Sequence, residues 1–244
     1  MSRQRADLAL VTRGFFASRA KAQEAIAAGL VRIDGKILSK SSALIDAEMQ
    51  IEAVAPYPWV SRGGVKLAAA LDAFGFEPGK RICLDIGAST GGFTEVLLTR
   101  GAARVHAVDV GHGQLHPKLS ADPRVISAEA TDARTLTASA FSEPPGFISC
   151  DVSFISLKLV LPPLLALAAP DAALIALIKP QFEVGPAFVV KGIVKDEAAR
   201  LRACADIEAL LRSSGWNIKG PIASPIDGAE GNREYLIGAM NAPR

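Results

Sequence analysis

Three acidic residues lie at or just after the ends of three successive segments that are predicted to be strands. Asp85 comes directly after an apolar run, Asp109 lies 24 residues further on at the end of the next run, and Asp132 follows the third. The carboxyl ends of parallel strands meet at the edge of an open α/β sheet where ligands bind. There Asp109 is placed to accept hydrogen bonds from both hydroxyls of a ribose, and Asp132 is placed to meet an adenine edge. The spacing therefore predicts a nucleoside site.

A glycine-rich segment, DIGASTGGF at 85–93, joins the first of these strands to a predicted helix. Such a turn cradles a phosphate or nucleotide at a helix N-terminus, although a single match can also be a plain structural turn. Asp85 puts a negative charge where a pyrophosphate would sit, which favours a cationic ligand such as the sulfonium and amino groups of S-adenosylmethionine. The residues expected to bind this cofactor are Asp85, Gly87, Ala88, Ser89, Gly91, Gly92, Phe93, Asp109, Val110 and Asp132.

Two further charged residues end neighbouring apolar strands. Asp151 follows the run 147–150, and Lys179 follows the run 174–178. Each could be a surface residue that ends a strand, but both are expected at the ligand edge of one sheet. An amine in that position could take a proton from an incoming hydroxyl or hydrogen-bond to it.

Composition limits the class of protein. The 244 residues are 50% apolar, which is enough for one large domain or a large and a small one. There is no uninterrupted run of 18 apolar residues and no apolar signal-peptide run near Met1, so a cytosolic location is expected. The isolated cysteines Cys83, Cys150 and Cys204 support neither a disulfide framework nor a zinc site, and no metal is expected.

The positive charge is concentrated near the amino terminus. Residues 1–40 carry eight Lys and Arg side chains against three acids, whereas the net charge of the whole chain is only +2. A basic segment ahead of a near-neutral body suggests a module that binds a polyanion, and a solvated cationic face is the alternative.

The pattern of residues 5–53 predicts two short helices, a β-hairpin with Asp34-Gly35 at its turn, and a further strand. Residues 19–22 (RAKA) and 29–36 (GLVRIDGK) resemble the S4 RNA-binding domain over about the first 55 residues. The resemblance implies that a basic surface contacts RNA phosphates. The residues that it assigns to RNA are Arg3, Arg5, Arg19, Lys21, Arg32 and Lys36.

The rest of the chain alternates between strand and helix. Pro56 and Pro58 break the pattern, so residues 1–55, a linker at 56–60 and a second domain at 61–244 are expected. Near-continuous apolar strands indicate a doubly wound, mostly parallel sheet that is covered on both faces, with an antiparallel hairpin at one edge. The predicted strands are 81–86, 104–110, 124–127, 147–151, 173–178, 216–222 and 234–240, and the predicted helices are 64–74, 92–100, 155–168 and 196–213.

Six ordered motifs carry a second resemblance. They are SRGGVKL at 61–67, DIGASTGGF at 85–93, VDVG at 108–111, DVSFISL at 151–157, IKPQFE at 178–183 and GNREY at 231–235. Together they are similar to the FtsJ-like ribose 2′-O-methyltransferases, and most of all to their TlyA branch, which also has an S4 domain in front and has long been labelled hemolysin. The implied fold is a Rossmann-like seven-stranded methyltransferase sheet with a small α+β S4-like domain.

The same resemblance implies an activity and its residues. The family's Lys-Asp-Lys-Glu tetrad falls on Lys66, Asp151, Lys179 and Glu234. Lys179 would act on the ribose 2′-hydroxyl, Asp151 and Glu234 would orient it, and Lys66 would complete the charge network. The donor would be S-adenosylmethionine, and the acceptor would be cytidine in ribosomal RNA or ribosomal subunits.

Three other functions remain as alternatives at this point. The first is an RNA-binding or assembly module whose methyltransferase fold is idle, against which the intact tetrad argues. The second is a membrane-lytic protein, which no spanning segment in the sequence supports. The third is a dehydrogenase, which Asp85 makes less favourable because a pyrophosphate needs backbone N–H groups at that position.

Overall fold

The computed structural model describes residues 3–228 and 230–241. The chain divides between Pro58 and Trp59 into two compact units. Trp59, which the sequence places in a linker, packs over Gly64 in the second unit: a methyl group added at Gly64 would lie 2.3 Å from the Trp59 Cγ.

The first unit is a small α+β fold. Its elements are β1 (Gln4–Arg5), α1 (Ala6–Thr12), α2 (Arg19–Ala27), β2 (Val31–Ile33), β3 (Lys36–Ile37), β4 (Leu44–Ile45) and β5 (Ile51–Ala53). Ser18 caps α2 by accepting the Lys21 backbone N–H. The predicted hairpin forms between β2 and β3, because Asp34 and Gly35 both take the positive φ that this two-residue turn requires.

The second unit contains a seven-stranded sheet with helices on both faces. Its elements are α3 (Gly63–Phe74), β6 (Ile82–Ile86), α4 (Gly92–Thr99), β7 (Arg104–Val108), α5 (Pro117–Ser120), β8 (Val125–Ala128), β9 (Phe147–Cys150), α6 (Leu157–Leu165), β10 (Ala173–Ile178), α7 (Pro180–Glu183), α8 (Glu197–Ser213), β11 (Trp216–Ala223) and β12 (Tyr235–Asn241).

The strand order is β11-β12-β10-β9-β6-β7-β8. Strands β6 to β10 run parallel, while β12 runs antiparallel to both β10 and β11. The predicted fold class and the antiparallel edge are therefore confirmed. Because β6 has β7 on one side and β9 on the other, the strand order reverses there, and ligands bind at such a crevice.

Burial on both faces explains why the strands read as continuous apolar runs. Every residue of β10 is buried, and two separate hydrophobic clusters pack on the opposite faces of the sheet. Full burial of each Leu or Ile side chain contributes about 1.5–3 kcal/mol to folding. The sheet therefore provides a rigid support for the strand ends at the crevice.

The structure shortens one predicted helix. Residues 155–168 were expected to be helical, but α6 spans Leu157–Leu165. Ser156 begins the helix by accepting the Lys158 backbone N–H, which leaves 151–155 as an irregular segment after β9. That segment carries residues of the candidate site.

Candidate active site

The turn between β6 and α4 requires glycine at its close contacts. Gly87 has a φ of +78°, and a methyl group there would lie 2.3 Å from the Asp151 carbonyl oxygen. Gly91 has a φ of +98° and packs against Leu119, so it supports the turn from behind. The turn thus brings the end of β6 against the end of β9.

Asp85 lies beneath this turn. Its side chain is fully buried, Oδ1 accepts a hydrogen bond from Ser149 Oγ at 2.7 Å, and Oδ2 accepts one from Thr94 Oγ1 at 2.6 Å. Burial raises the pKa of Asp85 to about 6, against the opposing effect of the two hydroxyl donors. In the structure Asp85 therefore supports the turn from below, and its expected place among the cofactor-binding residues stays a prediction.

A cavity at the crevice, here called the acidic pocket, has a volume of about 370 Å³ and is lined by Asp109, Val110 and Asp132 among others. The two oxygens of Asp109 accept the backbone N–H groups of Gly111 and Ser89, both at 2.7 Å. Each carboxylate oxygen keeps a second lone pair, so Asp109 can still accept hydrogen bonds from two hydroxyls.

Asp132 is the second carboxylate of the acidic pocket. Arg134 Nη2 lies 2.6 Å from its Oδ2, and this hydrogen-bonded partner lowers the pKa of Asp132 to about 2. The carboxylate is therefore charged at neutral pH, and both of its oxygens already accept hydrogen bonds from Arg134, so a further donor would have to share them. Val110 directly follows Asp109 in the sequence and is 75% exposed. Its side chain therefore offers an apolar surface against which a flat ring can pack.

Gln114 also lines the acidic pocket, and sequence reasoning missed it. Glu129 fixes its loop by accepting the backbone N–H groups of Gly113, Gln114 and Leu115 at 2.7, 2.7 and 3.0 Å. Nothing in the spacing of Glu129 indicates this role, because the loop that it holds comes earlier in the chain.

A smaller cavity of about 160 Å³, the turn pocket, continues from the acidic pocket. The two share Gly87, Ser89 and Asp151. The turn pocket is also lined by Ala88, Gly92 and Phe93 among the residues expected to bind the cofactor. Asp85 and Gly91 line none of the three pockets described for this crevice. Each would therefore affect a bound cofactor only by stabilising the turn between β6 and α4.

A third cavity of about 340 Å³, the lysine pocket, is lined by Lys66, Lys179 and Glu234. It shares Arg62 and Lys66 with the turn pocket, and Ser153 and Phe154 with the acidic pocket. The four residues of the expected tetrad are therefore grouped where the three cavities meet. Their contacts divide them into two ion pairs.

The first pair is Lys66 with Glu234. Lys66 Nζ donates to Glu234 Oε2 at 2.5 Å, and the two side chains are only 7% and 4% exposed. A buried pair of this kind holds its partners in one arrangement, because removing either leaves an uncompensated charge. Glu234 thus contacts Lys66, although the resemblance had assigned it to orienting Lys179.

The second pair is Lys179 with Asp151. Lys179 Nζ lies 2.7 Å from Asp151 Oδ1, at an angle outside hydrogen-bond geometry, and it donates a hydrogen bond to Ser153 Oγ at 2.8 Å. The pair lies at the ends of the neighbouring parallel strands β9 and β10. Sequence reasoning found both charged residues, but it did not find Ser153.

Two aromatic side chains border the lysine pocket. Phe154 is 91% exposed and has a φ of +64°, and its ring centroid lies 5.2 Å from that of Phe182. A non-glycine residue in this conformation costs of order 1–3 kcal/mol and often marks a functional site. Phe154 therefore presents an open aromatic face beside the lysine.

Two polar side chains fix the walls of the lysine pocket. Asn232 accepts the Val194 N–H at 3.0 Å and donates to the Gly192 carbonyl at 2.7 Å, which ties the segment 190–194 to the chain before β12. Glu183 accepts the Leu157 N–H and the Ser156 hydroxyl, at 2.8 and 2.5 Å, and so joins α7 to α6. These contacts indicate a preformed site.

In the first unit, a buried carboxylate organises two of the expected RNA contacts. Asp7 is fully buried and accepts hydrogen bonds from Arg5 Nη2 at 3.0 Å and Arg19 Nη2 at 2.9 Å, while the two arginine side chains stay 46% and 53% exposed. The Arg5 guanidinium holds the pKa of Asp7 well below its usual range. Arg5 and Arg19 are thus brought together.

The other four expected RNA contacts are distributed over the same unit. Arg3 pairs with Asp46 at 3.4 Å, and Lys21 lies 4.9 Å from the centroid of the Tyr57 ring. Arg32 and Lys36 lie on the exposed hairpin of β2 and β3.

Two findings limit other classes of site. Within residues 3–228 and 230–241, no cluster of three or more His, Cys, Asp or Glu side chains could hold a metal ion. In the part of the chain that the structure describes, no helix is both long and apolar enough to cross a bilayer.

Two family models match the chain. The model of the FtsJ-like methyltransferases matches residues 59–240, which is more than half of the chain. The model of the S4 domain matches residues 4–51.

Curated relatives match along most of their length. The 16S/23S rRNA (cytidine-2'-O)-methyltransferase TlyA of Mycobacterium tuberculosis is 46% identical over 238 residues, which cover 96% of this chain and 89% of the relative. A protein of Brachyspira hyodysenteriae named Hemolysin A is 42% identical over 226 residues, which cover 91% of this chain and 94% of the relative.

Solved structures agree on the fold. A Streptococcus thermophilus protein that carries a hemolysin name superposes with a TM-score of 0.78 at 38% identity, over 99% of this chain and 90% of its own. The N-methyltransferase NodS of Bradyrhizobium japonicum, solved with S-adenosyl-l-homocysteine, has a TM-score of 0.51 at 15% identity, over 76% of this chain and 89% of its own. The second likeness shows the fold alone.

Proposed function

The chain belongs to the FtsJ-like methyltransferase family and carries an S4 domain before it, and on that premise we propose that it transfers a methyl group from S-adenosylmethionine to a ribose 2′-hydroxyl of ribosomal RNA. The target nucleoside is cytidine, as in the name of the Mycobacterium tuberculosis relative. The observation that carries the proposal is the Lys179–Asp151 ion pair where the three pockets meet.

The acidic pocket fits the nucleoside part of the donor. Its volume of about 370 Å³ lies within the usual range of small-molecule sites. Asp109 has acceptor capacity for the two ribose hydroxyls, and Val110 can pack against the adenine ring. Asp132 would share its oxygens between Arg134 and the adenine amino group. The turn pocket, lined by Gly87 and Asp151, would hold the methionine part.

The bound donor supplies a sulfonium methyl group, which is already a strong electrophile. The protein then has to hold the acceptor oxygen in line and assist the loss of its proton. Lys179 Nζ, at the border of the lysine pocket, would hold the 2′-hydroxyl and, reacting as the neutral amine, take that proton. Asp151 stabilises the resulting ammonium from 2.7 Å away.

The remaining side chains of the lysine pocket shape the acceptor site. Lys66 and Glu234 neutralise each other and stay buried, so they set a fixed wall with little net charge. Phe154 and Phe182 present aromatic faces on which an unpaired base can stack, a contact that contributes about 1–3 kcal/mol per base. This geometry suits a single nucleotide taken out of an RNA helix.

The first unit would dock the RNA. Arg5 and Arg19, held together by Asp7, and the exposed Arg32 and Lys36 of the hairpin present charges that phosphates can contact. Such contacts position the RNA without reading its sequence. Ribosomal RNA and ribosomal subunits are the proposed partners, and the proposed location is accordingly the cytoplasm.

Transfer of tritiated methyl groups to ribosomal subunits that lack the modification tests this function. We expect Lys179→Ala to lower the transfer rate by about 10²–10⁴-fold, the usual contribution of proton transfer by a side chain. Donor affinity, measured by calorimetry, should stay within about twofold. The control is Lys158→Ala, an exposed lysine paired with Asp206.

Two results would refute the proposal in different ways. A Lys179→Ala variant with the turnover of the wild type would remove Lys179 from the chemistry. A wild-type protein that binds no donor at millimolar concentration but still binds ribosomal RNA would be an RNA-binding module with an idle fold.

A further inference from the structure

We propose that Ser153 is a positioning residue whose hydroxyl directs the Lys179 amine towards the acceptor hydroxyl; this inference rests on the proposed methyl transfer. Ser153 Oγ accepts a hydrogen bond from Lys179 Nζ at 2.8 Å. The serine belongs to the segment that joins β9 to α6, and the lysine follows β10.

The two partners of the Lys179 amine differ in what they control. Asp151 Oδ1 lies 2.7 Å from Nζ but outside hydrogen-bond geometry, so it supplies an opposite charge. A hydrogen bond prefers a donor angle above about 150° and therefore fixes direction, whereas an ion pair depends mainly on distance. Ser153 is thus the partner that determines the direction in which the other hydrogen-bonding positions of Lys179 Nζ point.

Local backbone geometry holds Ser153 at this place. Its neighbour Phe154 has a φ of +64°, and Gly87 packs against the Asp151 carbonyl on the other side. Strands β9 and β10 are buried parallel neighbours, so the end of β10, which Lys179 follows, and the end of β9, from which the serine segment starts, keep a fixed separation. The hydrogen bond therefore joins the segment after β9 to the end of β10.

The position of Ser153 matches this role. It lines both the acidic pocket and the lysine pocket, so it lies between the proposed donor and the proposed acceptor. In the transfer, a bond forms from the 2′-oxygen to the methyl carbon, the carbon–sulfur bond breaks with its electron pair going to sulfur, and the hydroxyl proton goes to the lone pair of Lys179 Nζ, which reacts as the neutral amine and becomes the ammonium. An amine with one N–H donated to Ser153 keeps its other positions for that hydroxyl.

Side-chain replacement can test this role without unfolding the protein, because Ser153 is exposed. Single-turnover methyl transfer to ribosomal subunits from cells without the protein would be measured for Ser153→Ala and Ser153→Thr. The control is Ser213→Ala, an exposed serine at the end of α8 that donates to the Leu210 carbonyl. Donor and subunit affinities would be measured for each variant.

We expect Ser153→Ala to lower the single-turnover rate by about 10- to 100-fold, since small misplacements of a reacting group have effects of that size. Its donor and subunit dissociation constants should stay within about twofold. Ser153→Thr keeps a hydroxyl and should recover at least a third of the wild-type rate. Ser213→Ala should match the wild type.

Three results would overturn the inference. They are an unchanged rate in Ser153→Ala, an equal loss in Ser153→Thr, and a loss fully explained by weaker binding of donor or subunits. If the wild type is active and Lys179→Ala is inactive, any of these three results would refute only the role of Ser153. An inactive wild type would instead refute the proposed function.

Discussion

Removal of Lys66 should destabilise the second unit far more than removal of an exposed lysine. Lys66 and Glu234 are 7% and 4% exposed and lie in hydrogen-bond contact, so Lys66→Met would leave a buried carboxylate without its counter-charge. Breaking a buried pair from one side costs about 3–5 kcal/mol of the free energy of unfolding. For a unit of this size, that corresponds to roughly 6–20 °C in Tm.

Replacing both partners should reverse most of this loss. Lys66→Met combined with Glu234→Leu removes the unpaired charge, and exchanges of this kind are often neutral or stabilising. We therefore expect the double variant to unfold within about 1.5 kcal/mol of the wild type while methyl transfer stays lost. Such a result would separate the contribution of the pair to stability from its contribution to the reaction.

Urea unfolding and calorimetry of the full chain would measure these differences. The matched control is Lys158→Met, because Lys158 and Asp206 form an ion pair at 2.5 Å that is 40% and 52% exposed. An exposed ion pair contributes about 0–1 kcal/mol to the free energy of unfolding. If Lys66→Met lowered the free energy of unfolding by less than about 1 kcal/mol, as the control does, burial of the pair would not make it more important for stability than an exposed pair.

Three further predictions concern the turn and the acidic pocket. Gly87→Ala should abolish donor binding in calorimetry, because the added methyl group would lie 2.3 Å from the Asp151 carbonyl oxygen, whereas Gly215→Ala, which also has a positive φ but nothing within 4 Å of the added methyl group, should bind normally. Asp109→Asn should weaken donor binding by about 10- to 100-fold in the same assay, because hydrogen bonds to a charged acceptor contribute about 1.5–3 kcal/mol. Folding raises the pKa of Asp85 from 3.8 to about 6, so the native state binds its proton more tightly. The resulting stabilisation, of order 3 kcal/mol, is fully present below pH 4 and is lost as the pH rises through 6. Urea unfolding of Asp85→Asn should therefore show a smaller decline in stability between pH 4 and 7 than the wild type, and an equal decline would contradict the assignment.

Much of the fold follows from local patterns in the sequence. The continuous apolar run of β10 predicts a strand that is buried on both faces, and β10 lies at residues 173–178 as expected. The antiparallel edge was predictable because β11 and β12 follow one another without an intervening helix. The positive φ values at Asp34 and Gly35 follow from the Asp-Gly turn.

Contacts between distant segments could not be predicted in the same way. The burial of Asp85 depends on hydroxyl groups from α4 and β9, and no local pattern places Ser149 beside it. The pairing of Glu234 with Lys66 depends on how α3 packs against the end of β12. Ser153 is an ordinary serine in sequence, and only the adjacent strand ends bring it to Lys179.

Mapping of 2′-O-methyl groups on ribosomal RNA tests the central claim most directly. Cells that lack the protein would be complemented with the wild type or with Lys179→Ala, and the modification maps would be compared. We predict at least one cytidine that is methylated with the wild type and unmethylated both without the protein and with the variant. Identical maps in all three strains would contradict the proposed function.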